Sequence, residues 1–215
     1  MTRYSHASAL AWSSARSQDA TQVFERDDVL VAVLADGGGS LRGGEAASRT
    51  LLAIVESAVN DRSFVLHDTR RWVELFHETD RALAAHGPKQ TTGIVVVLGP
   101  RGLVGVSTGD SEAWLVTPTS SDNLTVGQQT KQRLGGNQVS AATFERPALT
   151  GTLLVASDGL FKYASAGVIA NVVRASPIEN AAKQLVELVR LRSGKVADDV
   201  SVLLVRRNDE PIAPS

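Results

Sequence analysis

The chain has 215 residues, 43% hydrophobic and 21% charged, with a formal net charge of −1 and no cysteine. That size and composition fit a globular protein with one sizeable core, and the near-neutral charge gives no electrostatic basis for binding nucleic acid or an anionic membrane. The lack of cysteine removes disulfides, thiolate metal sites and cysteine nucleophiles together, and it accords with a reducing compartment.

In chain order, residues 1–20 are small and polar, with Trp12 expected as a buried anchor. They lack the long apolar core of a signal peptide, and no apolar run in the chain approaches the ~18 residues of a bilayer span. The expectation is a cytoplasmic protein. Val23-Phe24 and Val29 to Ala35 read as two strands with a turn at 25–28. Residues 45–60 place Ala47, Leu51, Ile54, Val55 and Ala58 at helical spacing. Residues 68–86 do the same with Trp72, Leu75, Phe76, Thr79 and Leu83, up to the stop at Gly87-Pro88. Apolar runs at 93–98 and 103–108, joined by Gly99-Pro100-Arg101-Gly102, predict a hairpin. A strand follows at 113–116, then a polar, irregular segment over 117–150, then a strand at 152–156. Val168, Ile169, Val172 and Val173 suggest a short helix. Ser176-Pro177-Ile178-Glu179 reads as a capping box opening a helix to about residue 192, and a last strand runs over 200–206. The tail over 208–215 is expected to be disordered, leaving one domain over 1–207. The hairpins and doubly apolar strands predict an α+β fold of mostly antiparallel sheets covered by helices.

Four of these strands end at an aspartate beside glycine or another acid: Asp36 in ADGGG, Asp110 in TGDS, Asp158 in ASDG and Asp198 in ADD. Asp19 lies near the N-terminus. Each alone is an ordinary turn residue. Together they predict a carboxylate cluster, which repels itself unless a cation is bound. The histidines His6, His67, His77 and His86 have no metal-ligand spacing, so the cation would be held by oxygen, which favours magnesium, manganese or calcium.

These stretches carry a resemblance. VAVLADGGGSLRGGEAAS, TTGIVVVLGPRGLVGVSTGDSEAWLV, LLVASDGLF and ADDVSVLLV resemble, in order, four motifs of the metal-dependent serine/threonine phosphatases of type 2C, in a compact, bacterial-like form. The resemblance implies a four-layer α-β-β-α sandwich, two central sheets flanked by helix pairs, with two manganese or magnesium ions at one end. It implies that Asp36 bridges the ions, that the Gly37 carbonyl binds one, and that Asp158 and Asp198 complete the first ion's shell. Asp110 would serve a weaker third ion, and Asp19 would lie just outside the metal ligands. The implied reaction is removal of phosphate from phosphoserine and phosphothreonine of proteins by a hydroxide bridging the two ions. The implied partners are a phosphoprotein and a cognate kinase, acting with a monomer.

The sequence departs from that pattern at several points. Ser14 stands where the family places a phosphate-binding arginine, leaving Arg16 and Arg42 as substitutes. Ser40 replaces a glycine, Gly38 stands where some members carry a histidine, Glu112 replaces an arginine, and Asp199 stands where asparagine is usual. Asp199 could ligate or cap the turn. The segment over 117–136 is shorter than the family's flap. These departures motivate an alternative: a pseudophosphatase that binds phosphoproteins or a kinase without turnover.

Overall fold

The computed structural model describes residues 3–13, 17–39, 41–87 and 89–208. Arg16, Ser14 and Ser40 lie outside these residues. So does the expected tail apart from Asn208, whose N–H donates to the Arg3 carbonyl at 3.1 Å.

Two antiparallel sheets pack face to face. The first is built from β1 (Tyr4–Ala11), β7 (Glu112–Val116), β8 (Ser121–Asn123), β10 (Thr152–Ala156) and β11 (Val200–Arg207), in the order β1-β11-β10-β7-β8. The second holds β2 (Asp19–Arg26), β3 (Val29–Gly39), β5 (Gly93–Gly99), β6 (Gly102–Thr108) and β9 (Ala142–Arg146), in the order β2-β3-β5-β6-β9. A short β4 (Lys89–Thr91) pairs with the end of β3. Helices α1 (Leu41–Asn60) and α2 (Thr69–Ala84) cover the second sheet. Helices α4 (Ala166–Ala175) and α5 (Ile178–Leu188) cover the first, and a short α3 (Asp158–Phe161) follows β10.

The near-continuous apolar runs follow from this layering, because the central strands β3, β5, β6, β10 and β11 are buried on both faces. In β3, Leu30, Ala32 and Leu34 enter the core between the sheets, while Val31, Val33 and Ala35 pack against α1 and α2. On β11, Leu203 and Val205 face the other sheet, while Val202 and Leu204 face α4 and α5. Each such side chain contributes about 1.5–3 kcal/mol by leaving water. Helix α2 buries Trp72, Leu75, Phe76, Thr79 and Leu83 on the predicted face, and the Asp68 side chain accepts the Arg70 N–H at its start.

Four expectations need correction. The N-terminal stretch is a strand, and Trp12 is 55% exposed rather than an anchor. Edge strand β1 presents small residues such as Ala7 and Ala9 to the core, so it carries no strong apolar alternation. The segment over 117–150 holds two short strands, β8 and β9. The capping box does not form: Pro177 takes the N-cap position without a side-chain cap bond, and Ser176 Oγ donates to Gln184 Oε1 at 2.9 Å. Helix α5 ends at Leu188, short of the predicted residue 192.

Candidate metal centre

At one end of the sandwich the strands deliver their aspartates. Asp19 opens β2 and pairs in register with Asp36 of β3. Beyond the last β3–β5 pair, Thr92 takes over the contact. Its Oγ1 accepts the Asp36 N–H at 2.9 Å, and its own N–H donates to the Asp36 carbonyl at 2.8 Å. Thr92 Oγ1 also shares a 2.8 Å hydrogen bond with Ser111 Oγ. The threonine pair and the Gly-Asp-Ser turn thus lock the second sheet to the start of β7. The end of β3 also lies close against the start of α1: a Cβ at Gly37 would collide with the Gly44 carbonyl. Only glycine permits that approach.

From the first sheet, Asp158 begins α3 directly after β10. The preceding Ser157 is tied to Ser201 on β11 twice, through its N–H to the Ser201 carbonyl at 3.0 Å and through its Oγ, which accepts the Ser201 N–H at 2.9 Å. Asp199 is held by hydrogen bonds to two residues near the N-terminus. Its Oδ1 accepts the Ser13 N–H at 2.8 Å and the Ser13 hydroxyl at 3.0 Å, and its Oδ2 accepts the Gln18 N–H at 2.8 Å. It ties Ser13 and Gln18 to one carboxylate.

The result is a convergence of carboxylates from both sheets. Oxygens of Asp36, Asp110 and Asp158 all lie within 4.8 Å of one another. Asp19 is buried beside them, and neither of its carboxylate oxygens has a hydrogen-bond partner among the described residues. Burial, then the Asp19 and Asp158 charges, push the Asp36 carboxyl up to about 9. Burial likewise pushes Asp19 up to about 6. Orphaned buried carboxylate oxygens and mutual repulsion are what a divalent cation relieves, so the donor set fits hard ions bound by oxygen.

Asp198 stands apart from that group. The Lys162 ammonium sits between Asp158 Oδ2 at 2.6 Å and Asp198 Oδ2 at 3.2 Å. Its hydrogen bond to Asp158 holds the lysine above its ordinary pKa. Lys162 was not singled out from the sequence, although its place four residues after Asp158 puts it on the same side of a helical turn.

Arg133 was also missed. Its Nη2 lies 3.1 Å from both oxygens of Asp110. A Cβ at Gly38 would collide with its Nη1. Its signal in the sequence is faint: Leu134 is a lone apolar residue before Gly135-Gly136, and it is fully buried, pairing with Thr91. Arg42 is exposed on the first turn of α1, and among the described residues nothing ties it to the carboxylates. Glu112 is a structural residue: its Oε2 accepts the Trp114 Nε1–H at 2.6 Å and the Asn123 Nδ2–H at 2.7 Å.

Two layers of antiparallel sheet between helix pairs are a fold similar to that of bacterial serine/threonine phosphatases. In particular, the S. agalactiae serine/threonine phosphatase superposes with a TM-score of 0.82 at 23% identity, covering 95% of this chain and 100% of that one. The Mycobacterium tuberculosis phosphatase PstP/Ppp gives 0.76 at 23% identity over 95% and 98% of the two chains. The catalytic domain of PstP in complex with two manganese ions gives 0.76 at 24% identity over 94% and 96%. No family model and no curated protein matches the sequence. Among the described residues, no helix is long and apolar enough to cross a membrane.

Proposed function

We propose that the chain is a metal-dependent phosphomonoester hydrolase that removes phosphate from phosphoserine and phosphothreonine of proteins. One observation carries this reading: carboxylates of Asp36, Asp110 and Asp158 converge from different elements beside the buried Asp19, whose oxygens have no hydrogen-bond partner among the described residues. The manganese ions of the similarly folded PstP domain support it. Asp36, Asp158 and Asp198, with the Gly37 carbonyl, would hold two manganese or magnesium ions, and Asp110 a weaker third. When bound, such ions supply a nucleophile from water at neutral pH and neutralise phosphoryl charge.

The chain's own residues do the positioning. Thr92 and Ser111 fix Asp36 and the Asp110 turn, while Ser157 and Ser201 fix the strand end that presents Asp158. Asp199 holds the residues on either side of the 14–16 segment against the site. The phosphoprotein would be the product of a serine/threonine kinase, and residues 1–207 would act as one domain, as a monomer in the cytoplasm.

A second reading has one observation in its favour. Lys162 already supplies a cation between Asp158 and Asp198, as a phosphoprotein-binding module without turnover would tolerate.

The deciding experiment is hydrolysis of a phosphothreonine peptide and of p-nitrophenyl phosphate with manganese, with magnesium and with EDTA, for wild type and Asp158→Asn. The expected result is metal-dependent turnover that falls by on the order of 10³-fold in the variant, matching the several kcal/mol a lost ion removes. Manganese binding by calorimetry without turnover in the wild type establishes the second reading instead.

A further inference from the structure

We propose that Arg133 is the side chain that binds the phosphate of the substrate, an inference that rests on the phosphatase reading. A phosphate dianion entering a nest of aspartates needs cationic donors besides the metals. Arginine is suited to this because its planar fork can grip two phosphate oxygens at once. The position from which the resemblance would supply that arginine is Ser14, which has no charge; Arg16 lies outside the described residues, and Arg42 is exposed and, among the described residues, tied to none of the carboxylates. Lys162 is spent on Asp158 and Asp198.

Arg133 reaches the carboxylates from the segment between β8 and β9. Asp110 uses only Nη2, at 3.1 Å to each oxygen, and among the described residues Nε and Nη1 make no hydrogen bond. Nη1 lies over Gly38, two residues beyond Asp36, where any larger residue would displace it. The guanidinium therefore has donors to spare at the site, and Asp110 fixes their direction.

Its mounting is rigid. The backbone of Leu134, the next residue, exchanges two hydrogen bonds with Thr91, at 2.9 and 3.1 Å. Asp80 on α2 is buried, and its carboxylate accepts the N–H groups of Gly135, Asn137 and Val139 at 2.7, 3.0 and 3.2 Å. Gln132, the preceding residue, accepts the Thr108 hydroxyl on its carbonyl at 3.3 Å. A binding group held on both sides in this way loses little freedom when the ligand arrives.

The competing role is that of a counter-ion for Asp110 alone, and one experiment separates the two. Wild type, Arg133→Ala and Arg133→Lys, each loaded with manganese, are titrated with inorganic phosphate by calorimetry. Manganese stoichiometry, melting temperature and the kcat and KM for p-nitrophenyl phosphate are measured alongside. The expected result in Arg133→Ala is phosphate affinity lowered by about tenfold or more, with KM raised to match, unchanged manganese stoichiometry and partial recovery in Arg133→Lys. Phosphate affinity within about twofold of wild type overturns the proposal, as does a loss of manganese that parallels the loss of phosphate. A wild type that binds phosphate through Arg133 but hydrolyses nothing would sink the phosphatase reading and leave this inference standing. Turnover that is indifferent to Arg133 would do the reverse.

Discussion

The two sheets bring their acids to the same place in opposite electrostatic states. On the second sheet, Asp19 and Asp36 sit side by side in register, pushed up to about 6 and about 9 chiefly by burial, and among the described residues neither Asp19 oxygen makes a well-formed hydrogen bond, although the Ser157 and Ser201 hydroxyls lie near enough to lower its pKa. On the first, Asp158 and Asp198 share the Lys162 ammonium at 2.6 and 3.2 Å. One side of the site is built around a missing charge, and the other carries a replacement for it. Burial raises Asp158 as well, but there the Lys162 hydrogen bond works against it, so the two edges differ in how far a cation offsets desolvation. Metal binding should relieve the first side and compete with the second.

The largest effect should separate the two sides directly. In the metal-free protein at pH 8, Asp36→Asn removes a buried carboxyl that must take up a proton on folding and should stabilise the fold, on the order of 2 kcal/mol or several degrees in melting temperature. Asp158→Asn removes the partner of Lys162 and should give no such gain. Equal stabilisation by both variants, measured by thermal unfolding in EDTA, would erase the contrast drawn here.

Next in size is the competition at Lys162. An ion approaching Asp158 and Asp198 must displace an ammonium that contacts both. Lys162→Met keeps most of the aliphatic stem and removes the charge. Manganese affinity measured by calorimetry should then rise by about tenfold, the scale of one well-placed charge interaction at a partly exposed site. Unchanged affinity would mean that the lysine swings aside at no cost.

Much of this was legible beforehand, and the reasons are specific. The apolar runs leading to Asp36, within β3, and to Asp158, just after β10, are buried on both faces, so they stood out, and so did the acids that follow them. Helix α2 showed its buried stripe at regular spacing. What stayed hidden was held by contacts that leave no periodicity. Strand β1 lies at a sheet edge and buries mainly small side chains. Arg133 and Lys162 reach the site by tertiary placement, through Asp80 binding three backbone N–H groups of a polar loop and through one turn of α3. A sequence displays the acids that end its strands more readily than the cations that loops bring to meet them.

The smallest effect is a pH slope set chiefly by Asp36, with Asp158, also raised by burial, adding with the same sign. Unfolded, Asp36 ionises near its ordinary value of 3.8; folded, it holds its proton up to about 9. The folded chain therefore binds a proton that the unfolded chain has released, so its contribution is complete at low pH and is lost as pH rises through 9. In EDTA, the melting temperature should fall steadily from pH 7 to pH 9, at no more than about 1 kcal/mol per pH unit. Lys162 adds nothing to this window, because its pKa is raised above an ordinary value of 10.5, so it stays charged in both states. His67, lowered by burial, acts only below its ordinary 6.5, and with the opposite sign. Saturating manganese keeps Asp36 ionised in the folded state and should remove most of the slope, as should Asp36→Asn without metal. A slope that survives undiminished in Asp36→Asn would place the titrating group elsewhere and remove the main electrostatic distinction between the two sheets.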